Sequence, residues 1–299
     1  MPLPPRAEII AAARDLLAPA CIATLATSLV IGVLVRLVAG KFQCDWRRAM
    51  PAVFVLALSS SIVAVNYFRN LPLPWLPDGK WWHWAGPVIV ACLLAEFINS
   101  CHSSAKYAFV LRGLVAGLAG HYLVPASWLE ESPQWVPLVA LWLAVSWTLG
   151  AEIARRQPGG SLCLAGSLFA GGAGIVLIHA LSPGLFDLSL SMAVSLFLIA
   201  ILAWLTKTDG SQALVTALTP ILILIWMNRP MADSEVPVSC HRILATVPLA
   251  QNILFLPGLN RLLGTRFGGI LLVILTLIPV VLAVLIAGFN APLNFENDA

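Results

Sequence analysis

The sequence predicts an all-α polytopic transmembrane helix bundle of about ten spans (range about 8–10) and no soluble domain. Three observations lead there. Hydrophobic residues fill 60% of the 299 positions and charged residues only 10%, against about 25% charged in a typical soluble domain, and mean hydropathy is +0.91. The apolar residues gather in runs close to the length that crosses about 30 Å of hydrocarbon at about 1.5 Å per residue. The runs are apolar all round, so the in-out alternation of a membrane barrel is missing. Helices then follow, because in lipid every backbone polar group needs an internal partner.

The elements follow in chain order. Arg6, Glu8, Arg14 and Asp15 give residues 1–16 a mixed charge that does not read as a signal peptide. Ala7 to Leu17 reads as a short interfacial helix ending before Pro19, ahead of a first span at 17–39. The second span, 49–68, holds Ser59, Ser60 and Ser61, and the stretch Leu71–Trp84 with Pro72, Pro74 and Pro77 reads as a loop on the membrane surface. Spans 84–103 and 106–124 form a tight hairpin, with Glu96 and Asn99 in its first arm and Arg112 in its second. Spans at 135–154, 161–181, 187–206 and 211–227 come next. The ninth run, 241–258, contains Pro248, Gln251, Asn252 and Pro257, which leaves both a crossing and a re-entrant path open. The last span is 267–289, with Thr276 beside Pro279. No gap is long enough for another domain, so residues 1–299 form one integral membrane domain, and the linker Arg155–Gly160 permits a division into two halves near 155–160.

Basic residues set the orientation. Arg36, Lys41, Arg47, Arg48, Lys106, Arg155, Arg156, Lys207, Arg261 and Arg266 fall on one side of such a topology. Arg6, Arg14, Arg69, Lys80, Arg229 and Arg242 fall on the other. The positive-inside rule places the richer side in the cytoplasm and both termini outside. Trp75, Trp81, Trp82, Trp84, Trp128, Trp135 and Trp226 then lie near the outer interface, where indole rings favour the headgroup level. Short loops without an organelle signal suit a bacterial-type inner membrane.

Few residues are out of place in lipid, and these are the candidates for function. A charge at mid-membrane costs about 2.5–3.5 kcal/mol on insertion scales. With the hairpin turn centred near Ser103 and Ser104, Glu96 and Arg112 sit at similar depth and can pair. Gln251 and Asn252 are side-chain amides inside a run, costly unless paired or wetted. These four are the expected substrate or ion path. His83, His121, His179 and His241 all fall near the outer face, where a shared site could move protons or hold a metal. They lack HxxxH or HExxH spacing, the six cysteines lack CxxC, and so neither a metal nor a cofactor is expected. Gly113, Gly117 and Gly120, and again Gly166 through Gly174, set small residues where helices approach closely.

There is no nucleotide-binding loop, nucleophile elbow or dinucleotide fingerprint, and no basic stripe for nucleic acid. The lipid bilayer is the one partner the composition demands. A second copy of the chain or partner membrane subunits are compatible with the small-residue faces. These features favour a transporter or permease-like protein for an unidentified small solute, and an enzyme is the less favoured class. The alternatives are an accessory subunit of a membrane complex, or an embedded enzyme acting on a lipid-type substrate at the outer face.

Overall fold

The computed structural model describes residues 6–41, 45–68, 81–101, 105–157, 159–180, 182–231 and 236–291. They form a helical bundle, with no β-strand among them. The helices are α1 (Arg6–Lys41), α2 (Met50–Phe68), α3 (Ala85–Cys101), α4 (Ala105–Tyr122), α5 (Ala126–Glu131) and α6 (Trp135–Arg156). They continue with α7 (Gly160–His179), α8 (Pro183–Thr206), α9 (Ser211–Met231), α10 (Val238–Ala245), α11 (Val247–Gln251) and α12 (Arg266–Asn290).

Six helical stretches are long and apolar enough to cross a membrane: Leu17–Ala39, Met50–Phe68, Trp135–Arg156, Gly160–His179, Gly184–Thr206 and Arg266–Asn290. Ala85–Cys101 and Ser211–Met227 are apolar but shorter. The protein is thus a multi-pass membrane protein. Its outer surface carries Ile22, Leu29, Val33, Leu37, Phe109, Leu114, Ile270 and Ile278, all exposed. In water such a surface would aggregate; in a bilayer it faces acyl chains.

One expectation fails at the start of the chain. The helix runs unbroken from Arg6 to Lys41 through Pro19. Proline removes its own amide bond to the preceding turn and crowds the carbonyl four residues back, at a cost of about 3 kcal/mol. The alanine-rich sequence on both sides of Pro19 is strongly helix-forming, so the loss is carried without a break.

The centre of the bundle is α9, buried at every residue from Ala213 to Met227. Lipid tails are as apolar as leucine, so burial alone does not hold helices together here, and close fit and hydrogen bonds must. The α7 glycines supply the fit. A Cβ on Gly166 would meet Leu214 of α9 at 2.2 Å, and one on Gly172 would meet Val280 of α12 at 2.1 Å. One on Gly160 would meet the Ala200 carbonyl oxygen of α8 at 2.7 Å. The α4 glycines divide. Gly120 packs on α6, where a Cβ would lie 2.6 Å from the Val136 carbonyl oxygen, but Gly113 and Gly117 have nothing within 4 Å.

Hydroxyls tie α1 and α2 to α8. Ser195 Oγ accepts from Thr24 at 2.9 Å and lies 2.7 Å from both Ser61 Oγ and the Ser191 carbonyl oxygen. Its single proton serves one of the last two, and donation to Ser191 lets Ser61 donate in turn. Thr27 and Ser60 meet at 2.8 Å along the same seam.

The bundle has two distinct ends. One is basic, with Arg155, Arg156 and Lys207, and there Asp209 accepts the Gly159 and Ser211 amides at 2.8 and 2.9 Å, holding the α6–α7 linker to the start of α9. The other is aromatic, with Trp226 Nε1 donating to the Leu123 carbonyl at 3.0 Å. The chain leaves α9 at the aromatic end, yet α12 starts at the basic end. There Gln157 accepts from Gly264 N at 2.7 Å and donates to the Thr265 carbonyl at 3.1 Å. Residues 236–264 therefore traverse the bundle.

That traverse is not one helix. It is α10, then α11, then two short 3-10 turns, Asn252–Phe255 and Leu259–Leu262. Pro248 and Pro257 interrupt the amide ladder. The side chain of Asn252 reaches back to the Pro248 carbonyl at 2.5 Å, where the helical amide would otherwise donate. The run is thus a broken path from the aromatic end of the bundle to the basic end.

Candidate functional site

The site grows from the α3–α4 hairpin. Glu96 and Asn99 stand one turn apart on the buried face of α3, and Arg112 faces them from α4. Arg112 Nε donates to Glu96 Oε1 at 2.6 Å and Nη2 donates to Oε2 at 3.1 Å, a two-point fork. The side chain of Glu96 is 0% exposed and that of Arg112 only 6%, so neither charge reaches the surface. Two amides complete the carboxylate: Asn99 Nδ2 donates to Oε1 at 3.3 Å, and Gln212 Nε2 from the first turn of α9 donates to Oε2. The Arg112 guanidinium carbon lies 5.9 Å from the ring centre of Trp147 on α6, within the reach of a cation–π attraction.

Four helices thus converge on one neutralised ion pair. The surroundings still hold spare polarity. Asn99 Oδ1 and Trp147 Nε1 are buried and have no hydrogen-bond partner among the described residues. Such orphaned atoms cost free energy in a dry interior, and they supply one acceptor and one donor beside the pair.

Gln251 and Asn252 lie elsewhere. Gln251 Nε2 donates to Thr276 Oγ1 of α12 at 2.9 Å, and Gln251 Oε1 is buried without a partner among the described residues. Asn252 serves the local backbone. Three of the four polar candidates therefore form two stations, Glu96 and Arg112 on α3, α4 and α9, and Gln251 between α11 and α12.

Three of the four candidate histidines have different neighbours. His179 Nδ1 lies 2.7 Å from the Ala291 carbonyl at the end of α12. His121 sets its ring edge-on to Tyr122, with centroids 4.8 Å apart. His241 is buried beside Trp135 and Trp226, and His83 belongs to the 3-10 turn Trp81–Trp84. No group of three or more His, Cys, Asp or Glu side chains suited to a metal occurs among the described residues.

Sequence reasoning missed Gln212 and Trp147. Gln212 sits at the head of an apolar run, a position that usually signals only an interface. Its partner is 116 residues away in the chain, a separation that hydropathy cannot bridge. Trp147 was hidden among the other tryptophans.

No protein-family description matches the chain, and comparison with curated proteins and with solved structures gave no match either.

Proposed function

We propose that the protein is a permease for a small solute, crossing an inner-type membrane ten times with both termini outside. The observation that carries this reading is the broken traverse of residues 236–264. Interrupted helices place free carbonyls and side-chain amides at mid-membrane, which is where transporters contact solutes and coupling ions. Gln251, with one amide oxygen still unpaired, lies on that traverse. The Glu96–Arg112 cluster supplies a second polar station, and intramembrane ionisable pairs of this kind mark solute and proton paths. Ten crossings follow if α3, α4, α9 and the broken segment count with the six longer helices. The basic end then faces the cytoplasm.

The test is solute entry into proteoliposomes. Vesicles are mixed with hyperosmotic solutions of polyols, amino acids, monocarboxylates and ammonium salts, and volume recovery is followed by light scattering. At least one class enters faster than into protein-free vesicles, and both Gln251→Leu and Glu96→Gln slow it. Equal entry into loaded and empty vesicles across all four classes contradicts the proposal.

A further inference from the structure

The aromatic end of the bundle holds a second feature, unrelated to either polar station. Trp128, Trp135 and Trp226 pack ring on ring, with centroids 5.1, 5.6 and 5.8 Å apart, and Trp142 stands 6.5 Å from Trp226. Beside them lies a partly open cavity of about 320 Å³, walled by Trp135, Trp142, Trp226, Leu138 and Ile225. Among the described residues its wall is almost wholly apolar, with His241 and one cation, Arg242 of α10, as its polar members. Arg242 is exposed and makes no ion pair among the described residues.

Three properties define what fits. The size lies at the lower edge of small-ligand sites, about 300–1,000 Å³. The apolar wall selects hydrocarbon. The rings touch one another at tilted angles, so they make a wall and not a cage around a cation. The Arg242 guanidinium selects an anion, with phosphate the best geometric match. Depth agrees, because the cavity spans the first turns of α6 and the last apolar turns of α9, where a membrane protein meets headgroups.

We infer that this cup is a binding site for one anionic phospholipid, with an acyl chain against Trp135, Trp142 and Trp226 and the phosphodiester at Arg242. The site is independent of the transport reading. It binds a lipid of the surrounding leaflet and ties α6, α9 and α10 together through it.

The experiment uses the full-length protein, delipidated in detergent and titrated with phosphatidylglycerol or phosphatidylcholine, with bound lipid counted by native mass spectrometry. One basic contact with an anionic headgroup is worth about 1 kcal/mol, or roughly fivefold in affinity. Phosphatidylglycerol therefore binds roughly fivefold tighter than phosphatidylcholine. Arg242→Gln, a change at an exposed position, brings the two lipids level. Ala245 also lines the cup, and Ala245→Phe, which fills it, lowers binding of both lipids; Leu138→Trp serves the same purpose if that variant folds poorly. Glycerol 3-phosphate, which offers the anion without the chain, does not compete. Equal affinity for the two lipids in the unchanged protein overturns the assignment, as does a preference that survives Arg242→Gln. Competition by glycerol 3-phosphate overturns it too, since the site would then be one for free phosphate. Failure of either filling variant to weaken lipid binding means that the cup is occupied by the chain itself or by nothing lipid.

Discussion

Removing one member of the Glu96–Arg112 pair should do far more harm than removing both. Arg112→Met leaves a carboxylate that is 0% exposed facing only the amides of Asn99 and Gln212. Breaking a buried pair from one side costs about 3–5 kcal/mol, because the survivor is an uncompensated charge. Glu96→Gln keeps an oxygen for the guanidinium at the position now 2.6 Å away and leaves Arg112 over the Trp147 ring, so its cost falls at the lower end, about 3 kcal/mol. In the double variant no charge remains, and the loss reduces to the amide bonds of Asn99 within α3 and of Gln212 from α9, about 1–2 kcal/mol together at an average of about 0.6 kcal/mol per bond in membranes. The coupling energy of the cycle is then about 4–7 kcal/mol, above the usual range of about 0.5–3 kcal/mol. Reversible unfolding in mixed micelles, read by tryptophan fluorescence, measures all four corners. Additive single costs, with coupling under about 0.5 kcal/mol, would refute the reasoning.

Three further outcomes follow from the packing. Gly120→Ala drives a methyl to 2.6 Å from the Val136 carbonyl oxygen and should cost about 1–3 kcal/mol in the same unfolding assay, whereas Gly117→Ala meets nothing within 4 Å and should be neutral or stabilising by up to about 1 kcal/mol. Ser195→Ala removes the junction of Thr24 and Ser61 and should cost about 1–2 kcal/mol, seen as a lower melting temperature in detergent. Gln251→Leu removes a buried amide whose oxygen has no partner among the described residues, so thermal stability should hold or rise while solute entry into vesicles falls; a stability loss above about 2 kcal/mol would mark it as a structural residue instead.

Much of this architecture was legible because the bilayer imposes it. Apolar runs at 49–68, 135–154 and 267–289 reappear as α2 (Met50–Phe68), α6 (Trp135–Arg156) and α12 (Arg266–Asn290) within a few residues. The Glu96–Arg112 pairing was legible too, since a short turn fixes the depth of both arms of a hairpin. What was hidden depends on contacts between distant segments. Nothing in hydropathy links Gln212 to Glu96, or Gln157 to the start of α12. The helix through Pro19 was misread because the helix-forming sequence on both sides outweighs the roughly 3 kcal/mol that an interior proline costs. The glycine stripes looked alike in sequence, yet α7 buries its stripe against three helices while α4 leaves Gly113 and Gly117 bare. Periodicity shows that a face can be approached, and only the fold shows which helix approaches it.

The account rests on the chain recrossing the bundle through the broken segment between α9 and α12. Ser239 and Asn260 are exposed near its two ends. Each is replaced by cysteine in a background without the native thiols, and sealed vesicles of known orientation receive a membrane-impermeant maleimide. The reagent should label Ser239→Cys from the outside only and Asn260→Cys from the inside only. Labelling of both positions from the same side would contradict the crossing and, with it, the polar path proposed along it.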